Sequence, residues 1–231
     1  MDSVAVSLGG SFLVKETGVD VALTREIAAV LRRAAKTRHV LAVVGGGATA
    51  RSYIQGARSL GASETALDDL GIAVTRINAR VLLAALPEAY PAVPATFDEA
   101  IHASRHFPAV VMGGTHPGHT TDAVTVMLGD KARATRIVIA TNVDGVYTAD
   151  PKKDPSARHL ARLTADELVR ICSTGDGRAG GTGVVDALGA KMIARSGIET
   201  AVVLGTDLKA LEAAIAGATD FHGTLVQGGR A

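Results

Sequence analysis

Four short apolar runs constrain the fold more than any other feature of the sequence, because each stops at a turn and a stretch of helical periodicity separates it from the next. Ser3–Leu8 ends at Gly9-Gly10-Ser11, His39–Val44 at Gly45-Gly46-Gly47, Ala109–Met112 at Gly113-Gly114-Thr115, and residues 137–140 at Thr141-Asn142. Apolar runs without alternation suit strands covered on both faces, the usual condition of a parallel sheet. Between the runs, Leu23, Ile27, Val30, Leu31 and Ala34 recur at helical spacing across residues 20–36, with Arg25, Glu26, Arg32 and Arg33 elsewhere on the wheel. A second helix follows the triple glycine as far as Leu60. A third is expected over 68–86, ended by Pro87, with Asp68 as its N-cap and Leu70, Val74, Ile77, Val81 and Leu82 on one face. Capping boxes at Thr96-x-x-Glu99 and Thr164-x-x-Glu167 open helices to about Arg105 and Cys172. Further helices are expected over 123–132, 186–196 and 207–216, with strands at Thr200–Leu204 and 223–226. Such alternation specifies an α/β fold, an open and mostly parallel sheet with helices on both faces.

In open α/β sheets ligands bind at the C-terminal ends of the strands, where all four turns lie. Glycines there let consecutive N–H groups approach an anion, although a glycine turn after a strand is by itself a common connection. The triple glycine before a helix adds unpaired first-turn N–H groups, but no Gly-Lys-Ser/Thr follows and the spacing is not that of a dinucleotide fingerprint. His116 and His119 lie three apart with no cysteine or further placed ligand to complete a zinc shell. Thr120 and Thr121 at a helix N-terminus suit phosphate better, and the same helix end is expected to keep Asp122 ionised. Asp144-Gly145 between valines reads as a two-residue hairpin doubling back from the fourth run. Asp150-Pro151 and Asp154-Pro155 then enclose Lys152 and Lys153 in rigid turns, and residues 176–182 are glycine-rich.

Composition narrows the partners. Lysine and arginine total 24 against 23 aspartate and glutamate, and aromatics are 3% with no tryptophan, so neither a nucleic acid nor an anionic membrane is an expected partner. Cys172 is the sole cysteine and residues 1–10 do not read as a signal peptide or a spanning helix, so a cytoplasmic location is expected.

The string T-N-V-D-G-V-Y-T-A-D-P-x-x-D-P from Thr141 resembles the ATP-site segment of the amino acid kinase family, and within it the archaeal branch that phosphorylates UMP. Four more segments are similar in the same order: the loop at Gly9-Gly10-Ser11, G-G-G-x-x-A-R from Gly45, L-D-x-L-G-I-x-x-T-R-x-N-A around Asp68, and G-G-T-x-P-G-x-T-T-D ending at Asp122. The resemblance implies one continuous domain in two lobes, with UMP held by residues 1–135 and ATP by residues 136–231, Mg²⁺ as companion ion, and a homohexamer. It implies that Gly46, Asp68, Thr115, His116, Pro117, Gly118, His119, Thr120 and Thr121 contact UMP. Around ATP it places Gly9, Gly10, Ser11, Gly47, Arg51, Thr141, Asn142, Tyr147 and Asp150. Asp122 and Asp186 match acidic positions that orient the phosphates and metal. Many members carry a lysine two residues before the first glycine, where this chain has Ser7, so Lys15, Lys152 and Lys153 stand as candidate cations. Isopentenyl phosphate kinases share the fold but carry a histidine in the glycine loop, unlike Gly45-Gly46-Gly47-Ala48. Metal-oxyanion storage proteins share it too, and Ser7 keeps that non-catalytic alternative open.

Overall fold

The computed structural model describes residues 1–15, 17–151, 153–173 and 184–229. Lys152 and the glycine-rich run 176–182 lie outside the described residues. The chain begins with β1 (Ser3–Leu8), α1 (Gly10–Leu13), a small antiparallel pair β2 (Val14–Lys15) and β3 (Gly18–Val19), α2 (Val21–Ala34) and β4 (His39–Val44). Helices α3 (Gly47–Ser59), α4 (Glu64–Leu83) and α5 (Phe97–Ser104) precede β5 (Ala109–Met112), α6 (Thr121–Lys131) and β6 (Arg136–Thr141). Then come β7 (Val146–Tyr147), β8 (His159–Leu160), β9 (Arg162–Thr164), α7 (Ala165–Ser173), α8 (Ala187–Ser196), β10 (Thr200–Leu204), α9 (Leu208–Ala216) and β11 (Thr224–Gln227).

One sheet of seven strands runs β5-β4-β1-β6-β10-β11-β9, parallel throughout except where β11 lies antiparallel to β10. The register decides where the site forms. Leu8 at the end of β1 is level with Val44 of β4 on one side and Ala140 of β6 on the other, and Val43 is level with Met112 of β5. Four turns therefore leave one edge side by side. Both faces are covered, which is why the runs lack alternation. On one face Val4, Val6, Val44, Val138 and Val203 pack with Ile27 and Leu31 of α2, Leu82 of α4 and Leu211 of α9. On the other, Ile137, Ile139 and Val202 meet Leu168 of α7 and Ile193 of α8, while Leu41, Val43 and Met112 meet Val124 and Leu128 of α6.

Two local expectations are corrected. The Asp144-Gly145 hairpin does not fold back on β6, because β6 already has β1 and β10 on its two edges and has no hydrogen-bonding side left. The strand after the turn, β7, pairs with β8 instead. Nor is Asp68 an N-cap: α4 starts earlier, capped by Ser63, whose hydroxyl accepts from Ala66 N at 3.3 Å. The buried stripe of α4 is Leu67, Val74, Thr75, Asn78, Ala79 and Leu82, whereas Ile77 is 57% exposed. Two polar residues thus take places in the stripe that an apolar periodicity would not assign them.

Candidate active site

Two glycine turns meet backbone to backbone. A Cβ on Gly10 would lie 2.4 Å from both Gly45 O and Gly47 N, and Gly47 itself has φ +65°, so neither position accepts an ordinary side chain. Gly9 N donates to Ala140 O at 3.0 Å and Gly45 N to Leu8 O at 2.9 Å, which continues the sheet into the turns. At the start of α3, Gly46 provides no side-chain cap, leaving the first-turn N–H groups as orphan donors for an anion. Ser11 sits in α1 beside this junction, and Arg51 lies exposed on the second turn of α3.

Helix α4 braces the loop after β5. Asp68 is exposed in its second turn, and its Oδ2 accepts from Gly118 N at 2.8 Å. Gly118 has φ +82°, so the loop of His116, Pro117, Gly118 and His119 turns sharply there, with the two imidazoles edge to face at 6.3 Å. Nearer the sheet, Thr75 Oγ1 accepts from Gly114 N at 2.7 Å and Arg76 Nε donates to Gly114 O at 3.2 Å. The hydroxyl of Thr115 is buried with no hydrogen-bond partner among the described residues, the kind of buried polar group that calls for an explanation.

The two acidic positions come together where α6 and α8 begin. Thr120 caps α6, and its hydroxyl donates to Asp186 Oδ2 at 2.6 Å. Asp186 caps α8, and its Oδ1 accepts from Leu188 N and Gly189 N, both at 2.9 Å. Asp122 Oδ1 accepts from Ser7 Oγ at 2.7 Å, with Ser7 buried in β1. The junction is tight: a Cβ on Gly189 would lie 3.1 Å from Asp122 Cβ and 3.2 Å from Asp186 Oδ2. Asp122 keeps partial surface access yet lies deep in the protein mass. Burial pushes its carboxyl up to about 7, partly offset by the Ser7 hydrogen bond and reinforced by Asp186. Desolvation therefore outweighs the field of the helix end, and a carboxyl near 7 is only about half ionised at neutral pH, short of the full ionisation the helix end alone leads one to expect. Burial also pushes the Cys172 thiol up to about 11, with Asp186 and Asp122 adding to it, so this thiol is no nucleophile at neutral pH.

On the β6 side, Thr141 O accepts from Gly205 N at 2.7 Å, and Thr141 Oγ1 donates to Asn142 Oδ1 at 3.4 Å. Tyr147 donates its hydroxyl to Asp144 Oδ1 at 3.0 Å. Asp150 O accepts from Lys153 N and Asp154 N, closing the turn with Pro151. Of the candidate cations, Lys15 is taken up by Asp20, the cap of α2, at 2.7 Å. Thr75, Arg76, Asn78 and Gly189 are site residues that reading by pattern missed. The signal for the first three was present in T-R-x-N-A, where polar residues interrupt an apolar helix face, whereas nothing local marked Gly189.

The chain is similar to known proteins over nearly its full length. The chain is 49% identical over 203 residues to a uridylate kinase of Archaeoglobus fulgidus, covering 88% of this chain and 91% of the relative. It is 45% identical over 225 residues to a uridylate kinase of Thermococcus sibiricus, covering 97% and 99%. The crystal structure of the Archaeoglobus fulgidus uridylate kinase superposes with a TM-score of 0.86 at 46% identity, over 98% of this chain and all of that one. A UMP kinase of Bacillus anthracis shares the fold at TM-score 0.80 and 22% identity, over 99% of this chain and 97% of that one. A model of the amino acid kinase family matches residues 2–204, and with near-half identity over almost the full length one placement follows: the chain belongs to the amino acid kinase family.

Proposed function

We propose that this chain is a uridylate kinase, passing the γ-phosphoryl group of ATP to UMP to give ADP and UDP for pyrimidine nucleotide biosynthesis. The observation that carries the reading is the meeting of Asp122, Asp186, Ser7 and Thr120 beside the glycine turns, in a chain of near-half identity to uridylate kinases. A phosphate oxygen of UMP forms the new bond to the γ-phosphorus while the bond to the β,γ-bridging oxygen breaks, with ADP as leaving group. Such a transfer has a loose transition state and asks mainly for positioning and charge stabilisation. Residues 1–135 hold UMP through Gly46, Asp68 and the loop Thr115 to Thr121. Residues 136–231 hold the adenosine half through Thr141, Asn142, Tyr147 and Asp150, while Gly9, Gly10, Ser11, Gly47 and Arg51 surround the ATP phosphates. Their N–H groups meet the charge that spreads over the transferring oxygens.

Among the described residues no group of three His, Cys, Asp or Glu side chains is placed to hold a metal ion. Two adjacent carboxylates nonetheless fit a magnesium ion that draws its other ligands from nucleotide phosphates and water. Asp122 and Asp186 are the residues that would hold it, and the ion would neutralise charge on the β- and γ-phosphates. No described helix is long and apolar enough to cross a membrane. A cytoplasmic homohexamer completes the proposal. The test is ADP release measured across UMP, CMP, isopentenyl phosphate and acetylglutamate. Turnover with UMP far above the other three is expected, and faster turnover with isopentenyl phosphate or acetylglutamate overturns the reading.

A further inference from the structure

Asn78 lies in the buried stripe of α4 at 5% exposure, and its side chain points at the triple-glycine turn. Its Nδ2 donates to Gly45 O at 2.9 Å and to Gly46 O at 3.1 Å. Both partners are carbonyls and can only accept, so the chemistry fixes which end of the amide faces the loop. In a trans peptide the N–H of each residue points opposite to the C=O of the residue before it. Drawing the carbonyls of Gly45 and Gly46 against α4 therefore turns the N–H groups of Gly46 and Gly47 to the other side. The turn after β1 closes against the same loop, where a Gly10 Cβ would lie 2.4 Å from both Gly47 N and Gly45 O, so the Gly47 N–H faces that junction. Gly46 O has a second donor in Ala50 N of α3 at 3.3 Å, so without Asn78 it is the Gly45 carbonyl that loses its hold and can turn its negative partial charge toward a phosphate. The same helix treats the loop after β5 alike, taking Gly114 O with Arg76 and Gly114 N with Thr75.

We propose that Asn78 is a positioning residue for phosphate binding, holding the Gly45 and Gly46 carbonyls against α4 so that the turn presents its N–H groups to both nucleotides. This rests on the uridylate kinase reading, which puts Gly46 beside UMP and Gly47 beside ATP. An effect on both nucleotides separates it from Asp68, which serves UMP alone. It also separates it from a buried amide that serves stability alone.

The experiment is calorimetric titration of UMP and, separately, ADP into the wild-type chain, Asn78→Leu and Asn78→Ser, beside thermal melts and UMP turnover. Asn78→Leu removes the donor at similar volume, and Asn78→Ser guards against a leucine variant that fails to fold. About tenfold or greater weakening of both nucleotides in a folded variant is expected, from the loss of one buried and one partly buried hydrogen bond that orient the turn. A folded variant that melts lower but binds both nucleotides with wild-type affinity overturns the inference while leaving the kinase reading in place. Weakening of UMP alone overturns it too. A wild-type chain that binds neither nucleotide overturns the kinase reading and the inference together.

Discussion

Asp68 has two tasks in one carboxylate: it accepts from Gly118 N at 2.8 Å and, on the kinase reading, from the ribose hydroxyls of UMP. Asparagine keeps a carbonyl for Gly118 but surrenders the charge that strengthens bonds to hydroxyls. Asp68→Asn is therefore expected to raise the UMP KM about tenfold or more and leave the ATP KM unaltered. Steady-state kinetics with each substrate varied checks this, and an unchanged UMP KM removes Asp68 from the acceptor site. Asp68 was singled out in the sequence only through the motif that resembles the family's, since its local pattern read as a helix cap. Asp122 was legible in place but not in charge. A helix N-terminus favours an ionised carboxylate by about 1 kcal/mol, and the depth that overrides it is made by α8 and β1, far away in sequence.

The elements show the same division between local and assembled signals. Thr164 and Glu167 form the reciprocal cap their spacing predicts, with Thr164 N donating to Glu167 Oε2 at 2.7 Å and Glu167 N to Thr164 Oγ1 at 3.3 Å. At Thr96 the hydroxyl accepts from Glu99 N, but Glu99 Oε2 takes Ala95 N instead, so the second half of the box closes one residue upstream. Asp144-Gly145 misled because a turn dipeptide says nothing of whether the preceding strand still has an open edge. The Asp186 cap was legible, whereas the need for glycine at Gly189 arises from Asp122 on another helix. In the first turn of α8, Gly189→Ala adds a good helix former, which favours stability by up to ~1 kcal/mol. Its Cβ, 3.1 Å from Asp122 Cβ and 3.2 Å from both Asp186 Oδ2 and Val185 Cγ1, presses on both acidic residues, which must give by a few tenths of an ångström. The expected outcome is a melting temperature close to wild type with kcat lowered about tenfold, since small misplacements of positioned groups are costly in rate. Turnover equal to wild type in the folded variant shows that the two carboxylates need not hold this spacing.

At the scale of the whole molecule, the parallel sheet was legible because the period of the hydrophobic pattern repeats from end to end. Its strand order was not. That β1 lies between β4 and β6, and so sets Gly9 between Gly45 and Thr141, is a consequence of pairings that no local pattern encodes. The same assembly links the site to global stability. Folding raises the Asp122 carboxyl from its ordinary 3.8 to about 7, so the native chain prefers the proton that the unfolded chain releases. The sign follows from that preference: the stability contributed by neutral Asp122 is fully present below about 3.8 and is lost as pH rises through about 7. The interval corresponds to at most ~4 kcal/mol, and less to the extent that crevice water reaches the carboxylate. Asp122→Asn removes this dependence because the amide stays neutral. In nucleotide-free, chelator-treated protein, the variant is expected to gain stability over wild type between pH 4 and pH 8, read as a growing difference in urea midpoint. At pH 8 with both nucleotides and magnesium, the same variant is expected to lose about 10² to 10³ in kcat, through loss of a charge needed in the transition state. Urea midpoints that stay parallel across the pH range show that Asp122 is ionised in the free chain, and a near wild-type kcat withdraws it from the transfer step.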